Sequence, residues 1–178
     1  DLLVTERAGR LRIIRNGVLD PKPIANGPAS KFAGKSGSLQ AIHGYMGLAV
    51  HPRFAQNQLI YFGTNMPLQA GTTEIVIVRA RLADGARHDI QEILAGEGMR
   101  GTVALARAPD AKLWVATGGE GAQDTNSLIG KVMRLNDDGT VPKDNPFVGR
   151  EGYRPEIYTL GHRSSLGLAV HPVTGELW

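Results

Sequence analysis

The sequence predicts an all-β fold, and three observations carry that prediction. Short runs rich in β-branched residues are separated by Gly, Pro and Asn clusters. No window of about a dozen residues holds an apolar stripe of helical period. One strand–turn–strand unit recurs along the chain. The 23 Gly and 10 Pro among 178 residues are well above the ~12% that these two residues usually contribute.

The elements follow in order. Leu2 to Glu6 and Leu11 to Arg15 read as strands joined through Arg7-Ala8-Gly9-Arg10, and Asn16-Gly17 supplies a second tight turn. Asn-Gly suits that turn because both central residues must take positive φ. Arg7, Arg10, Arg12 and Arg15 read as the solvated face of this hairpin. Glu74 to Leu82 reads as a strand closed by Asp84-Gly85, and Val132 to Leu135 is ended by the turn Asn136-Asp137-Asp138-Gly139. Residues 26–39 and 118–127 read as loops.

The repeat is the more specific signal. Leu48-Ala49-Val50-His51-Pro52 leads to Ile60-Tyr61-Phe62. Val103 to Ala106 leads through Ala108-Pro109-Asp110 to Leu113-Trp114-Val115, and Leu168-Ala169-Val170-His171-Pro172 leads to Leu177-Trp178. Leu2-Leu3-Val4 matches the second half of a further copy. Leu3, Tyr61, Trp114 and Trp178 are spaced by 58, 53 and 64 residues, about one four-stranded blade each. The expected architecture is a β-propeller, with about three blades spread over residues 1–178, both ends in mid-repeat, and no second domain. Propellers close with about four to eight blades, so the chain is expected to be part of a longer ring of six.

Composition excludes several functions. The absence of Cys removes disulfides, zinc–thiolate sites, iron–sulfur clusters and a cysteine nucleophile, and it agrees with a periplasmic or secreted location. A net charge of +3 is too small to predict nucleic-acid binding. The longest apolar runs, such as Ile75 to Val78, are too short to cross a bilayer, and the start shows no signal-peptide pattern, as expected of a mature or trimmed form. Gly34-Lys35-Ser36 has Ala29 where a phosphate loop needs its first Gly, Gly118-Gly119-Glu120-Gly121 lacks the third glycine of a dinucleotide fingerprint, and Ser164 and Ser165 sit in no nucleophile elbow.

Several stretches resemble the glucose/sorbosone dehydrogenase family, soluble quinoproteins that oxidise aldose sugars on a six-bladed propeller. They are Leu3-Val4-Thr5-Glu6-Arg7 with Gly9-Arg10-Leu11, Gly47 to Pro52 with Phe54, and Gly130-Lys131-Val132-Met133-Arg134-Leu135-Asn136 continuing through Asp138-Gly139-Thr140-Val141-Pro142 to Asp144-Asn145-Pro146-Phe147. Pro155-Glu156-Ile157-Tyr158 and Gly161-His162-Arg163 complete the series. The resemblance implies oxidation of an aldose to a lactone with pyrroloquinoline quinone and calcium, electrons passing to an external acceptor.

The same resemblance locates departures at the implied site. The family's general base, a His, falls at Gly98, which cannot accept a proton. The cofactor-holding segment keeps Arg163, a planar fork suited to carboxylates, and continues Ser164, Ser165, Leu166; the resemblance makes Arg163 and Ser164 cofactor-binding candidates, while Leu166 donates no hydrogen bond and loses one of the family's polar contacts. A cofactor-contacting Gln falls near Ile42 or His43, which makes His43 a candidate substitute base or ligand, and the family's Gly-Asp is Gly118-Gly119 here. The calcium ligands are expected beyond Trp178, and no metal ligand is assigned within the chain. Asp137 and Asp138 read as a turn. His51 and His171, each before Pro, point to a shared turn role, His162 to a packed loop residue, and His88 to a solvated turn.

Two readings follow: a sugar dehydrogenase-like quinoprotein, and, in a different class, a catalytically degenerate propeller serving as a binding or scaffold module. Polysaccharide binding fits the loops but has no positive motif. The 178 residues alone are not expected to form an active dehydrogenase.

Overall fold

The computed structural model describes residues 1–28, 30, 44–67, 73–96 and 103–178. Three antiparallel sheets account for nearly all of its regular structure. The first has the order β1 (Leu2–Glu6), β2 (Arg10–Arg15), β3 (Val18–Leu19). The second runs β4 (Tyr45–Val50), β5 (Leu59–Pro67), β6 (Thr73–Ala83), β7 (Ala86–Gly96), and the third β8 (Val103–Arg107), β9 (Leu113–Thr117), β10 (Lys131–Leu135), β11 (Ile157–Leu160). Each is a simple meander, as a propeller blade requires. At the C-terminal end Val170 bridges Leu177, and Ala169 and Trp178 exchange backbone hydrogen bonds of 2.8 and 2.7 Å.

The tight turns take the expected geometry. Asn16 and Gly17 have φ of 50° and 79°, and Asp84 and Gly85 have 52° and 72°, the positive pair that matches the twist of a two-residue hairpin. Three features escaped the sequence reading. Residues Phe54–Asn57 form a single helical turn, α1, too short to leave a periodic signature. β7 is strongly polar along its outer half and reads poorly as a strand. His88 sits within β7, opposite Arg81, and not in a solvated turn.

Burial explains the unbroken apolar run of β6. Ile75 and Ile77 face a core shared with the third sheet, through Leu105, Leu113, Val115, Met133, Leu135 and Ile157. Val76, Val78 and Ala80 face the other way, toward Leu11 and Ile13 of the first sheet. Successive residues point to opposite faces of a strand, so a strand packed on both sides is apolar at every position. The third sheet repeats the pattern: Leu113 and Val115 turn inward, while Trp114 and Ala116 face Leu168 and Leu177.

A polar clamp joins the second and third sheets. Asp137, in the turn after β10, accepts hydrogen bonds from the Tyr61 hydroxyl and from Arg107 Nη2 at 2.8 Å, and His51 Nε2 lies 3.3 Å away. Its carbonyl accepts from Arg79 Nη1 at 3.3 Å. The Arg107 guanidinium, with a side chain only 3% exposed, lies 4.5 Å from the Tyr61 ring centroid. The neighbouring Asp138 holds the turn itself, accepting from Thr140 N at 3.0 Å and Thr140 Oγ1 at 2.6 Å. The two carboxylates therefore have separate structural roles.

His51 and His171 share the turn role read from their position before Pro. His51 Nδ1 accepts from Arg53 N at 2.9 Å, and His171 Nδ1 accepts from Thr174 N at 3.1 Å. Burial holds the His51 imidazole below its ordinary value, with Asp137 opposing and Arg107, Arg53 and Arg79 reinforcing the shift.

Two predictions follow from the clamp. Asp137→Ala leaves the buried Arg107 without its carboxylate and is expected to lower stability by about 2–3 kcal/mol in urea unfolding, below the full value for a buried pair because Asp137 is partly exposed. The depressed His51 value means that the unfolded chain binds the proton first, so stability rises with pH. The His51 contribution is complete above about pH 6.5 and lost as pH falls toward the folded value. His51→Asn is expected to flatten this slope in urea midpoints measured between about pH 7.5 and pH 5.5.

Candidate functional site

The register of the third sheet places several chain ends at one edge. Val103 pairs with Thr117, Val132 with Ala116 and Lys131 with Leu160. The loops 118–130 and 161–167 therefore leave the sheet side by side, and they are tied together. Gly119 N donates to Arg163 O at 2.7 Å, Gly161 N to Ala122 O at 3.0 Å, and His162 N to Gly130 O at 3.0 Å.

Gly130 permits this convergence. Its φ is +66°, and a Cβ there would lie 2.6 Å from Ala122 Cβ and 2.9 Å from His162 O. Lys131 braces the same loop from below. It is fully buried, its Nζ donating to Ile129 O at 2.6 Å and Gly121 O at 3.3 Å, and burial lowers its pKa. Thr117 Oγ1 adds a 2.5 Å hydrogen bond to Leu128 O.

Between the two loops lies a cleft of about 390 Å³, lined by Gly119, Glu120, Gly121, Ala122, Gln123, Asp124 and Arg163. That volume falls within the range of small-molecule sites, ~300–1,000 Å³. Arg163 is 77% exposed, and among the described residues its guanidinium makes one contact, Nη2 to Glu120 Oε1 at 3.3 Å. Most of its five donors therefore face open space. Glu120 is 88% exposed, and a side chain added at Gly121 would meet nothing within 4 Å.

The structure brings together two segments singled out in the sequence, Gly118-Gly119 and Arg163, although Gly119 and Arg163 lie 44 positions apart. Ser164 is exposed beside Arg163, and Leu166, where the family has a polar contact, is 77% exposed. His43 and Gly98 lie outside the described residues. His162 does not line the cleft; its Nε2 lies 2.8 Å from Thr159 Oγ1. Sequence reasoning missed Glu120, Gln123 and Asp124 as cleft residues. The available signal was their place in a Gly-rich loop joining two strands of one blade.

Other residues of the family-like stretches are structural. The Asn145 side chain donates to Arg134 O and Pro155 O, each at 3.0 Å, and so ties down the long β10–β11 connection. Among the described residues, no group of three or more His, Asp and Glu side chains is placed to hold a metal ion, and no helix is long and apolar enough to cross a membrane.

Successive meandering antiparallel sheets, with a cleft between the loops at one edge of the third, define a β-propeller. The family model for glucose/sorbosone dehydrogenase matches residues 1–178, and the chain belongs to that family. It is 37% identical to "Uncharacterized protein slr1608" of Synechocystis sp., over 100% of this chain and 48% of that protein. It is 30% identical to quinoprotein glucose dehydrogenase B of Acinetobacter calcoaceticus, over 73% of this chain and 34% of that one. The crystal structure of the soluble aldose sugar dehydrogenase of Escherichia coli in its apo form superposes with a TM-score of 0.84 at 29% identity, covering 99% of this chain and 52% of that one. The chain thus spans about half the length of the first and third of these relatives and about a third of the second.

Gly130→Ala is expected to force the two loops apart. Limited proteolysis between residues 118 and 130 should accelerate several-fold relative to wild type, with a stability loss of about 1–3 kcal/mol.

Proposed function

We propose that the protein is a sugar dehydrogenase-like quinoprotein that oxidises an aldose to its lactone, using pyrroloquinoline quinone and an external electron acceptor. The observation that carries this reading is Arg163. Its exposed guanidinium projects into a small-molecule-sized cleft, on the segment that resembles the family's cofactor-holding sequence. The names of the similar proteins, an aldose sugar dehydrogenase and a quinoprotein glucose dehydrogenase, support the same class.

The residues present fit part of such a cofactor. A planar polycarboxylate suits the largely unengaged fork of Arg163, and the Ser164 hydroxyl lies beside it. When bound, the quinone supplies a two-electron oxidant for the sugar. The chain's own part is positioning. Arg163 would orient a carboxylate, the open space at Gly121 would leave room for a flat ligand, and Lys131 and Gly130 hold the adjoining loop. The described cleft residues include no imidazole, and Gly98 supplies no proton acceptor at the family's base position. Calcium, as a Lewis acid, remains an expectation from the resemblance, as does the periplasmic or secreted location.

The Gly98 and Leu166 departures favour the second reading, a propeller that retains ligand binding without redox turnover. Titration with pyrroloquinoline quinone, followed by aldose-dependent dye reduction by the full-length protein with calcium, separates the two. The dehydrogenase reading expects binding and turnover, and Arg163→Ala should weaken cofactor affinity at least about tenfold, the value of one charge-assisted contact. Binding without turnover selects the binding module. Absence of quinone binding at high micromolar concentration overturns the dehydrogenase assignment.

A further inference from the structure

Glu120 and Asp124 both line the cleft, and Glu120 is the carboxylate set against its guanidinium, that of Arg163. We infer that Glu120 is a built-in competitor for Arg163, which raises the threshold that any carboxylate ligand must pass to enter the cleft. This rests on the proposed function for its ligand class and goes beyond it by naming the residue that sets the affinity threshold for carboxylates.

Three observations support it. First, the contact is a single Nη2–Oε1 approach of 3.3 Å, where a strong guanidinium–carboxylate pair is bidentate and about 2.7–2.9 Å. Second, both side chains are exposed, at 77% and 88%, and such pairs contribute little to stability. The pair is therefore exchangeable and is not a structural clamp like that at Asp137. Third, the Glu120 backbone is held in place on both sides. Gly119 N is bonded to Arg163 O, and Gly121 O accepts from the buried Lys131 Nζ. The loop keeps a carboxylate within reach of Arg163, while the side chain stays free to swing away.

The chemical consequence is a common threshold: each carboxylate ligand must replace the same Glu120 contact, so only one with further contacts of its own binds at low concentration. A ligand with one carboxylate, such as the aldonate formed when a lactone hydrolyses, exchanges one carboxylate for another and gains little. A ligand with several carboxylates and a flat ring gains further contacts and displaces Glu120. No covalent step is involved; the exchange is one ion pair for another.

The test uses the full chain as wild type, Glu120→Gln and Arg163→Gln, together with the double variant. Each is titrated with pyrroloquinoline quinone by fluorescence and with gluconate by NMR, at low and physiological salt. Circular dichroism of each variant confirms that it is folded. Glu120→Gln is expected to bind either anion about two- to fivefold more tightly than wild type, the range of an exposed ion pair, with a larger gain at low salt. In the Arg163→Gln background the Glu120 substitution should give a smaller gain, which identifies competition for Arg163 and not general repulsion. Equal or weaker binding by Glu120→Gln, or the same gain with Arg163 absent, overturns the inference. If gluconate shows the gain while no form binds the quinone, the competitor role stands and the quinoprotein assignment falls. If no form binds either anion, both fall.

Discussion

Along β6, Ile75 and Ile77 turn toward one neighbouring sheet while Val76, Val78 and Ala80 turn toward the other. This two-sided burial is the constraint on which the rest of the structure depends. Each fully buried aliphatic side chain contributes about 1.5–3 kcal/mol, so the apolar cores supply most of the adhesion between sheets. They also fix register, because a slip of one residue would exchange the two faces. With register fixed, the ends of Thr117, Lys131 and Leu160 align at a single edge, and the loops of the cleft emerge together.

Polar groups then serve two different purposes at the two edges of the third sheet. At one edge Asp137, Arg107, Tyr61 and His51 form a partly buried clamp in which one carboxylate gathers groups from two sheets. Desolvation makes such groups costly to leave unpaired, so they fix the arrangement. At the other edge Arg163 and Glu120 are exposed and meet by one long contact. Water competes for both, so their pairing can be exchanged for a ligand. Burial separates the structural ion pair from the one proposed to yield to a ligand.

The family-like stretches divide along the same line. Asn145 and Asp138 are occupied in holding turns, and Gly130 and Lys131 in holding the loop above them. Arg163 alone among the described members of these stretches extends into the cleft. The motif that made residues 130–163 recognisable in the sequence is mostly a scaffold motif.

The sequence by itself determined the strands, the tight turns, the blade repeat and the family. These are local or periodic properties: β-branched alternation, Asn16-Gly17 and Asp84-Gly85 with their need for positive φ, and the recurrence of Leu48 to Pro52 at Leu168 to Pro172. It also read the His-Pro positions as turns, because one imidazole bonding its own loop is a local event. It did not reveal α1, which is shorter than any period, or β7, whose solvated half lacks apolar alternation. Only the tertiary structure decided that Asp137 pairs with Tyr61 and Arg107, and that Glu120 faces Arg163. Those meetings join residues 30 to 76 positions apart, and no local pattern records them. They exist because two packed faces fix the register of each strand and so determine which loops meet at each edge.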